Sequence, residues 1–206
     1  MGTVPVSAEG AKPASDPAAS VPAFELPFNE RKAVAAVGIL LKKAGGQMSY
    51  MRLVKLVYAA DREMMREIGQ PIVGGHYFSL PHGPVTSEVL DLAKHAPLPV
   101  LGELWAKHFE RENYDLKLTV DADLGPLSRA EEEVLDKVWE LYKHLDQFQL
   151  SEVFHRAFKE WCDPGKSRKE IRPEDILLAL DKTPEQIEDA RETAVEQAFL
   201  DELLGC

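Results

Sequence analysis

Apolar residues along the chain recur with two periods, and runs spaced by three and four residues dominate. Val34, Val37 and Leu41 share one helical face after Asn29, a side chain suited to an N-cap, and Gly45-Gly46 closes that run. A second run follows Ser49, with Leu53, Leu56, Val57, Ala60 and Met64 in step until Gly69, and predicts a central core helix. From Gly74 to Leu80 the chain becomes short, aromatic and bounded by breakers, as a strand is, and Pro81-His82-Gly83-Pro84 ends it in a turn. Thr86 or Ser87 caps a helix to about His95. Tyr114 to Val120 alternates apolar and polar side chains, the mark of a half-buried strand able to pair with the earlier one. Ser128 to Glu131 forms a capping box before the stripe Val134, Leu135, Val138, Leu141 and Tyr142. Ser151 opens a further helix that carries Val153, Phe154, Ala157, Phe158 and Trp161 and stops near Pro164. Pro173 at a first helical position, then a second capping box from Thr183 to Gln186, lead into a terminal helix. The elements describe a mainly α (α+β) fold, a compact helical domain with a small antiparallel β-sheet.

Composition changes this picture at both ends. The first 27 residues hold five of the fourteen prolines among Ala and Ser, with few large apolar side chains. Such a stretch buries too little to offset the entropy of ordering it, so a disordered tail is expected, followed by a single domain over 28–206. It is either a passive extension or a recognition segment. The net charge of −11 is unevenly placed: residues 170–206 carry eleven acids against three bases, −8, residues 1–27 carry −2, and residues 28–169 only −1. The acidic C-terminal extension, about 170–206, repels a phosphate backbone and suits a basic partner. Glu185, Glu188, Asp189 and Glu192 are its candidate contacts, and the competing reading is a face that serves solvation alone. No apolar run approaches the roughly 18 residues needed to cross a bilayer. Cys162 and Cys206 form no disulfide framework, so a reducing, cytoplasmic setting is expected.

Reaction chemistry has little support. None of the six histidines stands in a metal-binding spacing, and Asp61, His82 and His155 could meet only through folding, so a metal-dependent enzyme is the weakest alternative. Phosphate-cradling loops and nucleophile elbows are absent, no cofactor is expected, and His155 before Cys162 reads as helix packing. The two helices around Gly45-Gly46 could form a helix-turn-helix with Arg52 and Lys55 projecting, which would make a DNA-binding autoregulator. Asp61, Glu63 and Glu67 offset its bases, which disfavours nucleic acid.

From Met48 to Leu92 a helix, a glycine-bounded strand and a Gly-Pro-Val turn follow in close order. The motifs Leu53-Val-Lys55-Leu56-Val-Tyr58-Ala-Ala-Asp61-Arg62, Gly69-Gln-Pro71-Ile72, His76-Tyr77-Phe78 and Gly83-Pro84-Val85 resemble the Panacea domain of SocA-like antitoxins, also known as phage-associated GepA-like proteins. Leu150-Ser-Glu-Val-Phe-His155 through Trp161 resembles that family's second signature, and the likeness spans roughly 29–165. It implies a non-enzymatic type II antitoxin that binds a cognate protein toxin directly. SocA-like members are also associated with delivering toxin to a ClpXP-type protease. Lys55, Tyr58, Asp61 and Arg62, with His82, Gly83, Pro84 and Val85, are then the candidate toxin contacts. Because apolar residues already supply the core face of their helix, Lys55, Asp61 and Arg62 are expected near the surface. The Gly83-Pro84-Val85 turn has fold construction as its alternative role.

Overall fold

The computed structural model describes residues 24–95, 102–121 and 125–204. Helix α1 (Glu30–Lys43) begins as its cap requires, with Asn29 Oδ1 accepting from Lys32 N at 3.0 Å. Strand β1 (Gln47–Ser49) leads into α2 (Tyr50–Ile68), which Gly69 closes in the left-handed conformation, φ 78°. A hairpin of β2 (Tyr77–Leu80) and β3 (Gly83–Thr86) is followed by α3 (Ser87–Lys94). Then come α4 (Glu103–His108), β4 (Phe109–Glu112), β5 (Asp115–Leu118), α5 (Arg129–Tyr142) and α6 (Gln147–Ala157). The chain closes with β6 (Lys169–Ile171), α7 (Pro173–Ala179) and α8 (Pro184–Leu204). Helix α2 is the axle of this arrangement, packed against α1, α3, α5, α6 and α7 and against β3. Its apolar stripe of Leu53, Leu56, Val57, Ala60 and Met64 is buried, as its period predicts.

The sheets depart from the expected pairing. Among the described residues there are two three-stranded antiparallel sheets, ordered β1-β5-β4 and β3-β2-β6. Strand β5 sets Leu116 opposite Met48 of β1 and Arg111 of β4, so the two strands legible in sequence lie in different sheets. Gly83-Pro84-Val85 forms a strand rather than a turn. Its proline is tolerated because β3 is an edge, where a missing N–H need not break a ladder. Helix α6 starts one turn before Ser151, under a capping box of Asp146 and Gln149, and ends before Trp161.

The domain boundary also moves. Phe24 and Leu26 are buried in the core, Leu26 O accepts from Gly75 N at 2.7 Å, and Asn29 N donates to Val73 O at 2.9 Å. Gly74 has φ 72°, and a Cβ there would lie 2.4 Å from Pro27 O, so the strap passes where only glycine leaves room. Residues 24–27 therefore belong to the domain. The rest of the tail expected for residues 1–27, residues 1–23, lies outside the described residues.

Candidate functional site

Lys55, Tyr58, Asp61 and Arg62 sit on the side of α2 away from its apolar stripe, and amphipathic patterning sends such a side to solvent. The structure buries it instead. Lys55 and Tyr58 have no exposure, Asp61 has 1% and Arg62 6%. The loop after Gly69, the β2–β3 hairpin and the segment after α6 close over this side, so the expectation of surface positions for Lys55, Asp61 and Arg62 is corrected. A buried polar group must be partnered, and between them these four anchor three pieces of the cover: the loop, the segment after α6 and the hairpin.

Asp61 holds the loop: its Oδ1 accepts from Ile72 N at 3.0 Å and Val73 N at 2.8 Å, and its Oδ2 from Tyr77 OH at 2.9 Å. Burial pushes its carboxyl up to about 7, opposed by those hydrogen bonds. Arg62 and Tyr58 hold the segment after α6. Arg62 Nε donates to Glu160 Oε1 at 2.7 Å and Nη2 to Oε2 at 3.3 Å, while Tyr58 OH donates to the same Oε1 at 2.9 Å. The fork satisfies a wholly buried carboxylate, and the guanidinium lies 4.4 Å over the Phe158 ring. Glu160 escapes a reading of the sequence because the predicted helix runs straight through it. Its partner Arg62 demands a carboxylate only once buried, and the sequence does not report that burial.

Lys55 holds the hairpin tip, its ammonium donating to the His82 carbonyl. It has no ion-pair partner among the described residues, and burial brings its pKa down to about 8. Gly83, at φ 109°, faces it so closely that a Cβ would lie 3.0 Å from Lys55 Nζ and 3.7 Å from His155 Nε2. The His155 ring stacks on Trp161 at 3.8 Å, and Trp161 Nε1 donates to Leu80 O at 3.0 Å. Burial, reinforced by the Lys55 charge, holds His155 below the usual imidazole range.

Gly83, Pro84 and Val85 are buried, so of the hairpin candidates only His82 reaches the surface. Asp61 faces the 72–73 loop while His82 and His155 flank Lys55, and no group of three metal-binding side chains gathers among the described residues. The helix-turn-helix surface is likewise spent internally: Lys55 is enclosed, and Arg52 donates to Lys143 O at 2.7 Å with its guanidinium over Trp139. Glu185, Glu188, Asp189 and Glu192 are exposed on α8, which docks through Ile187, Ala190 and Ala194.

The residues that make these contacts lie between Lys55 and Trp161. Residues 53–162, just over half of the chain, match the family described as antitoxin SocA-like, Panacea domain. The chain belongs to that family. No curated protein and no solved structure matches it. Its Panacea domain thus runs from α2 to the residue after Trp161, and within it Lys55, Tyr58, Asp61, Arg62 and Tyr77 of the sequence signatures make the buried contacts that close over α2. Helices α1, α7 and α8 lie outside the matched stretch.

Proposed function

We propose that this chain is the antitoxin of a type II toxin–antitoxin pair and that it neutralises a cognate protein toxin by binding it directly in the cytoplasm. The observation that carries this reading is membership of an antitoxin-like Panacea family over residues 53–162. The network around α2 is consistent with it, because Lys55, Tyr58, Asp61 and Arg62 fasten a lid and so act as scaffold. The proposed contacts are then exposed groups: His82 at the hairpin tip and Glu185, Glu188, Asp189 and Glu192 on α8. Among the described residues no helix is long and apolar enough to cross a membrane.

The test is co-expression with the product of the neighbouring reading frame, scored for rescue of growth and for a complex that co-purifies. Rescue with a stable complex supports direct neutralisation. Rescue without one, accompanied by tighter binding to the operon's promoter than to random DNA, favours the autoregulator instead. Delivery to a ClpXP-type protease is the second part of the proposal, supported by the SocA-like likeness. It requires the toxin's half-life to shorten when chain and protease are both present.

A further inference from the structure

Helix α8 changes character half-way along. Its first half is fixed to the domain by Ile187, Ala190 and Ala194, by Gln70 Nε2 donating to Ala190 O at 2.6 Å, and by Arg191, which pairs with Glu174 of α7 at 3.0 Å. Beyond Ala194 none of the described side chains is buried. At about 100° per residue, Glu185, Glu188 and Glu192 line one outward face, and Val195, Phe199 and Leu203 continue the same line. Those three are 53%, 60% and 65% exposed. A face kept only for solvation would stay charged to its end. A contiguous apolar stripe rimmed by charge marks an interaction surface.

Charge selects the occupant. Residues 184–204 hold seven acids and one base, and that base is already paired within the domain. A second copy of this helix would set acid against acid, and an anionic membrane surface would repel it. What complements it is a protein groove with an apolar floor and a Lys/Arg rim, the helix-in-groove mode of recognition. Resting on the antitoxin reading above, we infer that α8 is the segment that recognises the toxin: Val195, Phe199 and Leu203 enter an apolar groove on it, and Glu185, Glu188 and Glu192 meet a basic rim. Because α8 lies outside residues 53–162, it can set partner choice without disturbing the Panacea scaffold.

The experiment measures association and dissociation rates of the full chain and two variants on the immobilised product of the neighbouring reading frame, with thermal midpoints and the sedimentation of each chain alone. V195Q/F199Q/L203Q is expected to keep its midpoint and to dissociate at least about tenfold faster, the effect of removing buried apolar anchors. E185Q/E188Q/E192Q is expected to associate more slowly, with a flatter dependence on salt. If the parent chain binds and the apolar variant dissociates at the parental rate, the inference about α8 is overturned while the antitoxin reading stands. If the parent chain itself fails to bind, the antitoxin reading falls and this inference with it. A parental dimer that the apolar variant turns into a monomer assigns the stripe to a second copy and likewise overturns it.

Discussion

Asp61 accepts from two successive backbone N–H groups and a tyrosine hydroxyl, so truncating it orphans three buried donors at once. At about 1–3 kcal/mol per unsatisfied group, Asp61→Ala is expected to cost several kcal/mol in chemical denaturation. That is the opposite of what a surface contact would show. Asp61→Asn keeps an acceptor for the loop and costs less. Its folded carboxyl titrates at about 7 and an unfolded one near 4, so the folded state binds the extra proton between them and this group's contribution to stability falls as pH rises from about 4 to 7. The stability of D61N relative to the parent should therefore improve across that window, which denaturation midpoints at pH 4.5 and 7 would read. Lys55 works in the other sense. Its folded pKa of about 8 lies below the unfolded value, so the folded state loses its proton first and stability rises from pH 8 towards 10. Above that, Tyr58 and Tyr77, whose hydroxyls burial pushes up, oppose the gain. Lys55→Met removes a desolvated charge that has one carbonyl partner, and is expected to be no less stable than the parent at pH 7 and flat between pH 8 and 10. Residue types and spacing were legible here, but burial was not. Nothing local to α2 reports that a hairpin and a loop close over its polar side.

Elements were read well where their ends carry chemistry of their own. Asn29, the Ser128–Glu131 box and the Thr183–Gln186 box cap the helices they were expected to cap. The strands fared worse because their signals are distributed. β4 reads Phe-Glu-Arg-Glu and β6 Lys-Glu-Ile, each with one buried residue, so neither alternates visibly, and only pairing with β5 or β2 makes them strands. The hairpin hides its second strand behind Gly83-Pro84, a pair that looks like a turn. Its stability can be probed at Gly83: Gly83→Ala combines a φ of 109° with a Cβ 3.0 Å from Lys55 Nζ. A loss of about 2 kcal/mol or more is expected from strain and crowding. Pairing it with Lys55→Ala should recover the crowding part but not the φ part. If the two losses simply add, Lys55 does not press on the hairpin tip.

At the scale of the whole molecule, charge segregation and the order of motifs were legible, and they carried the family and the acidic helix. The edge of the domain was not, because Phe24 and Leu26 stand among prolines and alanines, where two apolar residues make no periodic face. Their burial depends on backbone bonds to Gly75 and Val73, which no local pattern encodes. Two truncations separate the strap from the rest. Deleting residues 1–23 is expected to leave the thermal midpoint nearly unchanged. Deleting residues 1–28 removes two buried side chains, each worth about 1.5–3 kcal/mol, and leaves the Gly75 N–H without its acceptor. That variant should melt well below the parent, and equal midpoints for both truncations would show that the strap contributes nothing. The shorter truncation also separates binding from delivery, since it leaves the latches of α2 and the face of α8 intact. If it binds the toxin as the parent does but no longer shortens the toxin's half-life in protease-competent cells, residues 1–23 are the segment read by the protease. If degradation proceeds at the parental rate, delivery resides in residues 24–206.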